Sequence, residues 1–319
     1  MEIIRGITQK LRFLRGAAGA WIPWGWVIIL IVVGIGVGCT AYRREIKYRP
    51  SETLVEILSD FQRHLEDDTY RFQVVRDVSG RSLYKVTLIR LNNYEKIYPN
   101  NKFKPIISFN KAKAYEKLHE YDLAIQSYED VLKVPSPLAE LAKKNHAICL
   151  EFKEMIQRAQ DDSLPQEYLG ALEKKIQGWE QMIEKHKGTP YEYLAREQQE
   201  KVEGEKVAVI QSHMGDWKDA GLAIQHYNTL ISRHAESKNI NRYLLRFGDF
   251  YVSMASRYAE EKDPHGLKFD LKEFEKFADA ALELYESVAN RDGISEKLEA
   301  KEKVKALVSY IRTIRKISQ

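Results

Sequence analysis

The chain is poor in the residues that catalytic and metal-binding motifs require. It has two cysteines, Cys39 and Cys149, among 319 residues, and they stand in settings too different to suggest a disulfide. The sequence contains no Gly-rich phosphate loop, no HExxH, no cysteine pair at ligand spacing and no nucleophile elbow. Its eight histidines are scattered. We therefore expect a protein that is not an enzyme and holds neither cofactor nor metal.

Glycine and proline are also scarce, at 17 and 9 residues, whereas charged residues make up 30% of the chain. This composition favours long helices with solvated faces over a sheet-rich fold. The net charge of +4 comes from the N-terminus, because residues 51–319 carry 42 Lys and Arg against 44 Asp and Glu. The larger part of the chain has no basic excess, so no nucleic-acid partner is expected.

One long stretch without charged side chains lies near the N-terminus. Residues 17–42 are apolar over enough length to cross a hydrocarbon core of about 30 Å as a tilted helix, and tryptophans at one end with Tyr42 at the other are typical of membrane interfaces. Residues 1–16 are predicted to form a basic amphipathic segment on the membrane surface, or an ordinary basic flank. Residues 43–50 form a charged linker to a domain at 51–319.

The predicted membrane helix leaves three questions open. Gly34 and Gly38 form a small-xxx-small pair through which two copies could associate as a homo-oligomer. Cys39 follows a GVG sequence that resembles a lipoprotein cleavage site, although Gly36 stands where leucine is usual. Four Lys or Arg flank the helix on each side, so the positive-inside rule gives no decision. The short cationic tail favours an N-terminus in the cytoplasm, with the large domain outside it.

An internal repeat organises the larger domain. The sequence LAIQSY at 123–128 returns as LAIQHY at 222–227, each time on the apolar face of a predicted helix. Residues 106–132 contain two such amphipathic helices joined by the turn HEYD. In this unit the small residues Ala112 and Ala124 allow close helix approach, and tyrosines fill the space beside them.

This unit resembles the tetratricopeptide repeat (TPR), a helix pair of about 34 residues. The marks of that family fall on Ala112, Tyr115, Ala124, Tyr128 and the prolines at 135 and 137. The resemblance covers residues 51–319 with low specificity outside this unit. Together with the predicted transmembrane helix, it implies an all-α fold in which that helix is followed by an α-solenoid of about five TPR-like helix pairs and a C-terminal capping helix.

Periodicity places the further helices. The first is predicted to begin at Ser51 as an N-cap, and the region 70–75 is either a strand or an irregular turn. Thr189 and Pro190 are predicted to cap and begin a helix, and either Ala220 or Ala223 serves as the central alanine of its unit. The remaining helices are expected at 82–97, 138–157 with Leu141, Ala142, Ala147, Ile148 and Leu150 inward, 165–186, 239–261, 271–289 and 294–317.

In proteins of the TPR family the first helix of each unit lines a concave groove that holds a peptide. By position, the resemblance assigns this groove to residues of three units. Its mixed polarity indicates no single charged ligand, and Phe109 and Lys113 stand where chaperone-binding members have lysine and asparagine. The candidate residues are Ile106, Phe109, Lys113, Lys117, Glu205, Val209, Ser212, Asp249, Val252 and Ser256.

Two functions fit these features. The first is a single-pass scaffold of the bacterial inner membrane whose periplasmic TPR domain organises proteins or peptides of an envelope complex, with residues 17–42 in the bilayer. The second is a signal-anchored receptor on an organelle surface whose TPR domain faces the cytosol and binds client or targeting peptides.

Overall fold

A computed structural model describes residues 49–157, 165–213 and 220–318. These ranges contain eleven helices and no strand, so the all-α prediction is confirmed for them. In chain order the helices are α1 Arg49–Arg63, α2 Leu83–Ile97, α3 Lys104–Lys117, α4 Tyr121–Leu132, α5 Ala139–Gln157, α6 Pro165–Lys185, α7 Pro190–Ser212, α8 Ala220–Arg233, α9 Ile240–Lys262, α10 Leu271–Ala289 and α11 Lys297–Ile317.

The predicted membrane segments lie outside the described residues. This applies to the flank 1–16, the helix 17–42 and most of the linker 43–50. Among the described residues, no helix is both long and apolar enough to cross a membrane. The chain divides into two compact units, Met1–Val55 and Glu56–Gln319, and the surfaces discussed below belong to the second.

In the second unit, helices pack mainly against their neighbours in sequence. The closest pairs are α3 with α4, α4 with α5, α6 with α7, α9 with α10 and α10 with α11. One large apolar cluster joins α3 to α7 and another joins α7 to α11. Packing of this kind, in which each element buries its apolar face on the next, is typical of a solenoid.

Three alanine–tyrosine pairs fix the packing of α4, α8 and α10, each against the helix that precedes it. Each alanine is completely buried, and each tyrosine four residues later is at most 4% exposed. The tyrosine hydroxyl then donates a hydrogen bond to a polar side chain on the preceding helix. The pairs are Ala124–Tyr128, Ala223–Tyr227 and Ala281–Tyr285, and their acceptors are Glu116 at 2.6 Å, Gln211 at 3.0 Å and Asp249 at 2.6 Å.

Some residues that the sequence placed in the core are exposed in the structure. Leu123 and Leu222, which open the two LAIQxY sequences, are 41% and 51% exposed. In α5, Leu141 and Leu150 are also exposed, as is Ala147, whereas Ala142 and Ile148 are buried as expected. The buried stripe of α5 instead runs through Ala142, Asn145, Cys149 and Phe152. Asn145 is tolerated there because its amide donates to the Tyr128 hydroxyl at 3.2 Å.

Several boundaries differ slightly from the predictions. Helix α1 begins at Arg49 rather than Ser51, so Ser51 is not its N-cap. Thr189 occupies the N-cap position of α7 and Pro190 begins the helix, as predicted, but the Thr189 hydroxyl donates to the carbonyl of His186 at 2.6 Å and makes no capping hydrogen bond. Both Ala220 and Ala223 are buried. The region 70–75 is irregular, and the connection from α1 to α2 contains only an isolated bridge between Arg76 and Ser82.

Candidate functional site

A groove runs between α7 and α9. It consists of three adjoining cavities of about 450, 450 and 360 Å³; the first two lie between α7 and α9, and the third lies between α9 and the beginning of α11. Arg246 lines all three, and Gly204, Ala208 and Tyr243 line the first two. We call this surface the α7–α9 groove. Its other principal lining residues are Glu197, Lys201, Glu205 and Gln211 on α7, Tyr227 on α8, and Arg242 and Asp249 on α9.

Residue size and helical spacing create this groove. Gly204 and Ala208 are four residues apart and lie one above the other on α7. Because neither has a long side chain, α7 leaves space opposite α9; a Cβ atom at Gly204 would lie 3.6 Å from the ring of Tyr243. On α9, Arg242, Arg246 and Asp249 share one face at helical spacing.

The carboxylates at the α9 end of the groove are engaged within the protein. Asp249 accepts hydrogen bonds from the Tyr285 hydroxyl and from the Lys303 ammonium group, both at 2.6 Å. Arg242 pairs with Glu296 at 3.3 Å. Arg246, in contrast, has no carboxylate partner among the described residues. Its guanidinium therefore remains available to a ligand at the point where the three cavities meet.

The groove tyrosines act as hydroxyl donors rather than as acids. Burial is the main cause that raises the pKa of Tyr227, to about 12, and the nearby charge of Arg246 opposes this shift. Burial likewise raises the pKa of Tyr243, with Glu200 adding to the effect. Both side chains therefore stay neutral at physiological pH, and their hydroxyl groups are already engaged, that of Tyr227 with Gln211 at 3.0 Å and that of Tyr243 with Glu200.

A segment of the chain itself covers the surface next to one end of the groove. Residues 67–70, which we call the strap, follow α1 and contact elements more than 100 residues away. The Lys238 ammonium group donates to the carbonyl of Thr69 at 2.5 Å, and the Lys238 amide donates to the carbonyl of Tyr70 at 3.0 Å. The Tyr70 hydroxyl is 2.7 Å from Nδ1 of the buried His234.

Charged residues on α3 and α7 support the strap. Lys117 donates to the carbonyl of Asp67 at 2.8 Å. Glu197, which lines the groove, lies 2.7 Å from Nε2 of His119 and 3.1 Å from Lys238. Burial alone would raise the pKa of Glu197, but the hydrogen bond and charge of His119, with the charge of Lys238, lower it to about 2. The surface that the strap covers and the open α7–α9 groove thus meet at the Glu197 carboxylate.

The first LAIQxY unit contains a sealed polar network. Glu116 is 1% exposed, and its carboxylate accepts hydrogen bonds from the hydroxyls of Tyr128 at 2.6 Å and Tyr191 at 3.0 Å. Lys113 pairs with the same carboxylate, and the Cys149 thiol lies 3.4 Å from it. Burial is the main cause that raises the pKa of this thiol, so Cys149 is not poised as a nucleophile.

The structure separates the ten predicted groove residues into three groups. Glu205 and Asp249 line the α7–α9 groove. Four others lie further along α7 and α9, where Val209, Val252 and Ser256 are partly buried and Ser212 is exposed. The last four lie on α3: Ile106 is 37% exposed, Phe109 and Lys117 are buried, and Lys113 belongs to the network around Glu116. That these residues bind a partner stays a prediction.

Sequence reasoning missed Arg246, Tyr243 and Gly204. A signal for the first was present, because Arg246 lies three residues before Asp249 on the same helical stripe. Gly204 carried no comparable signal, since it lies within a long charged helix.

The described residues show no group of three or more His, Cys, Asp or Glu side chains placed to hold a metal ion. The arrangement of the α7–α9 groove is suited instead to binding an extended chain, which it can contact with the Arg246 guanidinium and with the exposed side chains of Lys201 and Glu205. In comparisons with known proteins, no protein-family model matches the chain. No curated protein matches it at a significant level.

Proposed function

We propose that the protein is a non-enzymatic scaffold of TPR-like helix pairs, anchored in a membrane, that binds a protein or peptide in the α7–α9 groove. The observation that carries this proposal is the groove itself, in which three adjoining cavities share Arg246. A long, shallow surface with a few well-placed polar groups suits a peptide better than a small substrate.

The repeated alanine–tyrosine pairs support the TPR part of the proposal. They recur at three places with the same burial and the same type of hydroxyl contact. The exposed first helices of such pairs are the elements that the TPR resemblance assigns to ligand binding, and α7 and α9 are the helices that flank the groove.

The membrane part rests on the sequence of residues 17–42. We propose a bacterial inner-membrane protein whose helical domain lies in the periplasm, where it assembles a cell-envelope complex, with Gly34 and Gly38 available for association of two copies.

A tag at the C-terminus tests the orientation of the protein in the membrane. We expect added protease to remove the tag from spheroplasts, and a tag that is protected until the membrane is opened would contradict it.

Site-specific crosslinking tests the groove. A photoreactive benzoylphenylalanine at position 208 faces the groove, and the same residue at position 147 is a matched control, because both positions are exposed alanines within long helices. We expect discrete crosslinked products from position 208 that position 147 does not give. Equal products from both positions would remove the support for a specific groove.

A further inference from the structure

The connection after the strap displays apolar side chains to solvent. Val78 is fully exposed, Phe72 is 67% exposed and Val75 is 42% exposed. Single exposed apolar residues are common on protein surfaces, but these three lie within seven residues of one another. We call residues 71–81 the tip.

The tip is held in a defined conformation. The amide of Asp77 donates to the carbonyl of Arg81 at 3.0 Å, and the amide of Leu83 donates to the carbonyl of Val75 at 2.9 Å. The Asp77 carboxylate accepts from the amide and hydroxyl of Ser79 and from the amide of Arg81, at 3.0, 2.6 and 3.1 Å. Gly80 has φ +75°, which glycine adopts readily.

The base of the tip is fixed to the protein at two points. On one side, Tyr70 of the strap is buried against His234. On the other, Val74 packs on the small apolar cluster that contains Phe61 and Tyr84. A turn that is anchored at its base, and still points apolar side chains outward, is built to present them to another surface.

The charges of the tip are mainly positive. Residues 71–81 contain three arginines against a single acid, Asp77. Hydrogen bonds from Ser79, the largest cause, lower the pKa of Asp77, so that it stays ionised inside the turn. Arg71 pairs with Asp68, whereas Arg76 and Arg81 have no ion pair among the described residues.

We propose that the tip docks on the interface of an anionic lipid bilayer. Apolar side chains flanked by arginines match such an interface, since the apolar groups enter the boundary of the acyl region while the guanidinium groups meet lipid phosphates. This inference rests on the proposed membrane anchor. It goes beyond that anchor because it assigns a second lipid contact to the helical domain.

A fluorescent residue can report this contact in the full-length protein. An environment-sensitive fluorescent amino acid replaces Val78 in one sample and Leu267 in the other. Leu267 is the matched control because it is also fully exposed and lies in a different connection, between α9 and α10. Each protein is reconstituted into vesicles of phosphatidylcholine alone or with about 30% phosphatidylglycerol, with and without spin-labelled lipid as a quencher.

We expect the probe at position 78 to shift to the blue and to be quenched at least twofold in the anionic vesicles, with little change at position 267. The double change R76Q/R81Q should abolish the difference between the two lipid compositions. A probe at position 78 that behaves like the probe at 267 would overturn the lipid assignment. So would a blue shift that appears only when an acidic protein is added.

The outcome also separates this inference from the proposed function. If the protein floats with the vesicles but the probe at position 78 does not respond, the anchor stands and the tip contact fails. If the protein does not float with the vesicles, the membrane anchor fails, and the tip contact fails with it.

Discussion

The two LAIQxY units share one local packing but differ in the surface that they support. In the first unit, the hydroxyl of Tyr128 donates to the buried Glu116 carboxylate, which Tyr191 also contacts. In the second, the hydroxyl of Tyr227 donates to the neutral side chain of Gln211, and both residues line the α7–α9 groove.

This difference shows what the repeat determines. The alanine and tyrosine fix how closely two helices pack, and they are buried in both units. The residues that arrive from distant parts of the chain decide whether the neighbouring surface is filled. Tyr191 on α7 closes the first unit, whereas the described residues leave the groove beside the second unit open. Binding should therefore belong to the second unit.

The largest expected effect is the loss of the carboxylate in the sealed network. Glu116→Ala leaves Lys113 and two tyrosine hydroxyls without their buried acceptor, so we expect the free energy of unfolding to fall by about 3–5 kcal/mol. The matched change in the open unit, Gln211→Ala, should cost about 1 kcal/mol. Urea unfolding of both variants measures this contrast, and equal losses would remove the distinction between the two units.

Removing the tyrosine hydroxyl groups that donate to Glu116 and Gln211 tests the same difference between the first and second units. Burial, with Glu116, raises the pKa of Tyr128 well above its ordinary value, so its hydroxyl stays a donor to a charged group. We expect Tyr128→Phe to lower the free energy of unfolding by about 1.5–3 kcal/mol and Tyr227→Phe by about 0.5–1.5 kcal/mol. The reverse order in chemical denaturation would contradict the account.

A glycine comparison extends the test to the third alanine–tyrosine pair. A Cβ atom at Gly248 would lie 2.4 Å from a ring carbon of the buried Tyr285. Gly248→Ala should therefore cost about 1–2 kcal/mol through overpacking. At Gly178 the near atom, at 2.3 Å, is the flexible end of Met155, so Gly178→Ala should be neutral or stabilise the protein by up to about 1 kcal/mol through helix propensity. Thermal unfolding of both variants measures the difference.

The smallest expected effect is a pH dependence at the strap. Burial, followed by the charge of Lys113, lowers the pKa of Lys117 to about 8 from 10.5. Between these two values the unfolded chain binds more protons than the folded one, so stability rises with pH. We expect the free energy of unfolding to rise by roughly 1 kcal/mol from pH 8 to pH 9.

Lys117→Met is the control for this pH dependence, because it keeps a long side chain without a titrating group. Urea unfolding of the parent and the variant at both pH values isolates the contribution of Lys117. An equal pH dependence in the two proteins would show that Lys117 does not titrate as its burial implies.

Helical periodicity predicted most of the fold. Helix α10 has the predicted bounds, Leu271–Ala289, and the other described helices differ from their predictions by a few residues. Small and aromatic residues four apart identified buried pairs because their packing is local. Leu123 and Leu141 were placed wrongly, since an apolar residue beside a helical stripe does not show whether a neighbour covers it.

The site could be predicted only in part. Glu205 and Asp249 line the groove, as their helical positions suggested. The burial of Lys117 depends on Asp67, which is 50 residues away, and the sealing of Glu116 depends on Tyr191, 75 residues away. Such contacts arise from the stacking of helix pairs, and one sequence without its fold does not reveal them.

Filling the groove gives the most direct test of the central claim. Ala208→Trp places a large ring between α7 and α9, and Ala147→Trp adds the same ring at an exposed position on α5. Affinity for the partner captured from position 208 is then measured by titration with each full-length variant. The account predicts an affinity at least tenfold weaker for Ala208→Trp and an unchanged affinity for Ala147→Trp. Wild-type affinity in the Ala208→Trp variant would contradict it.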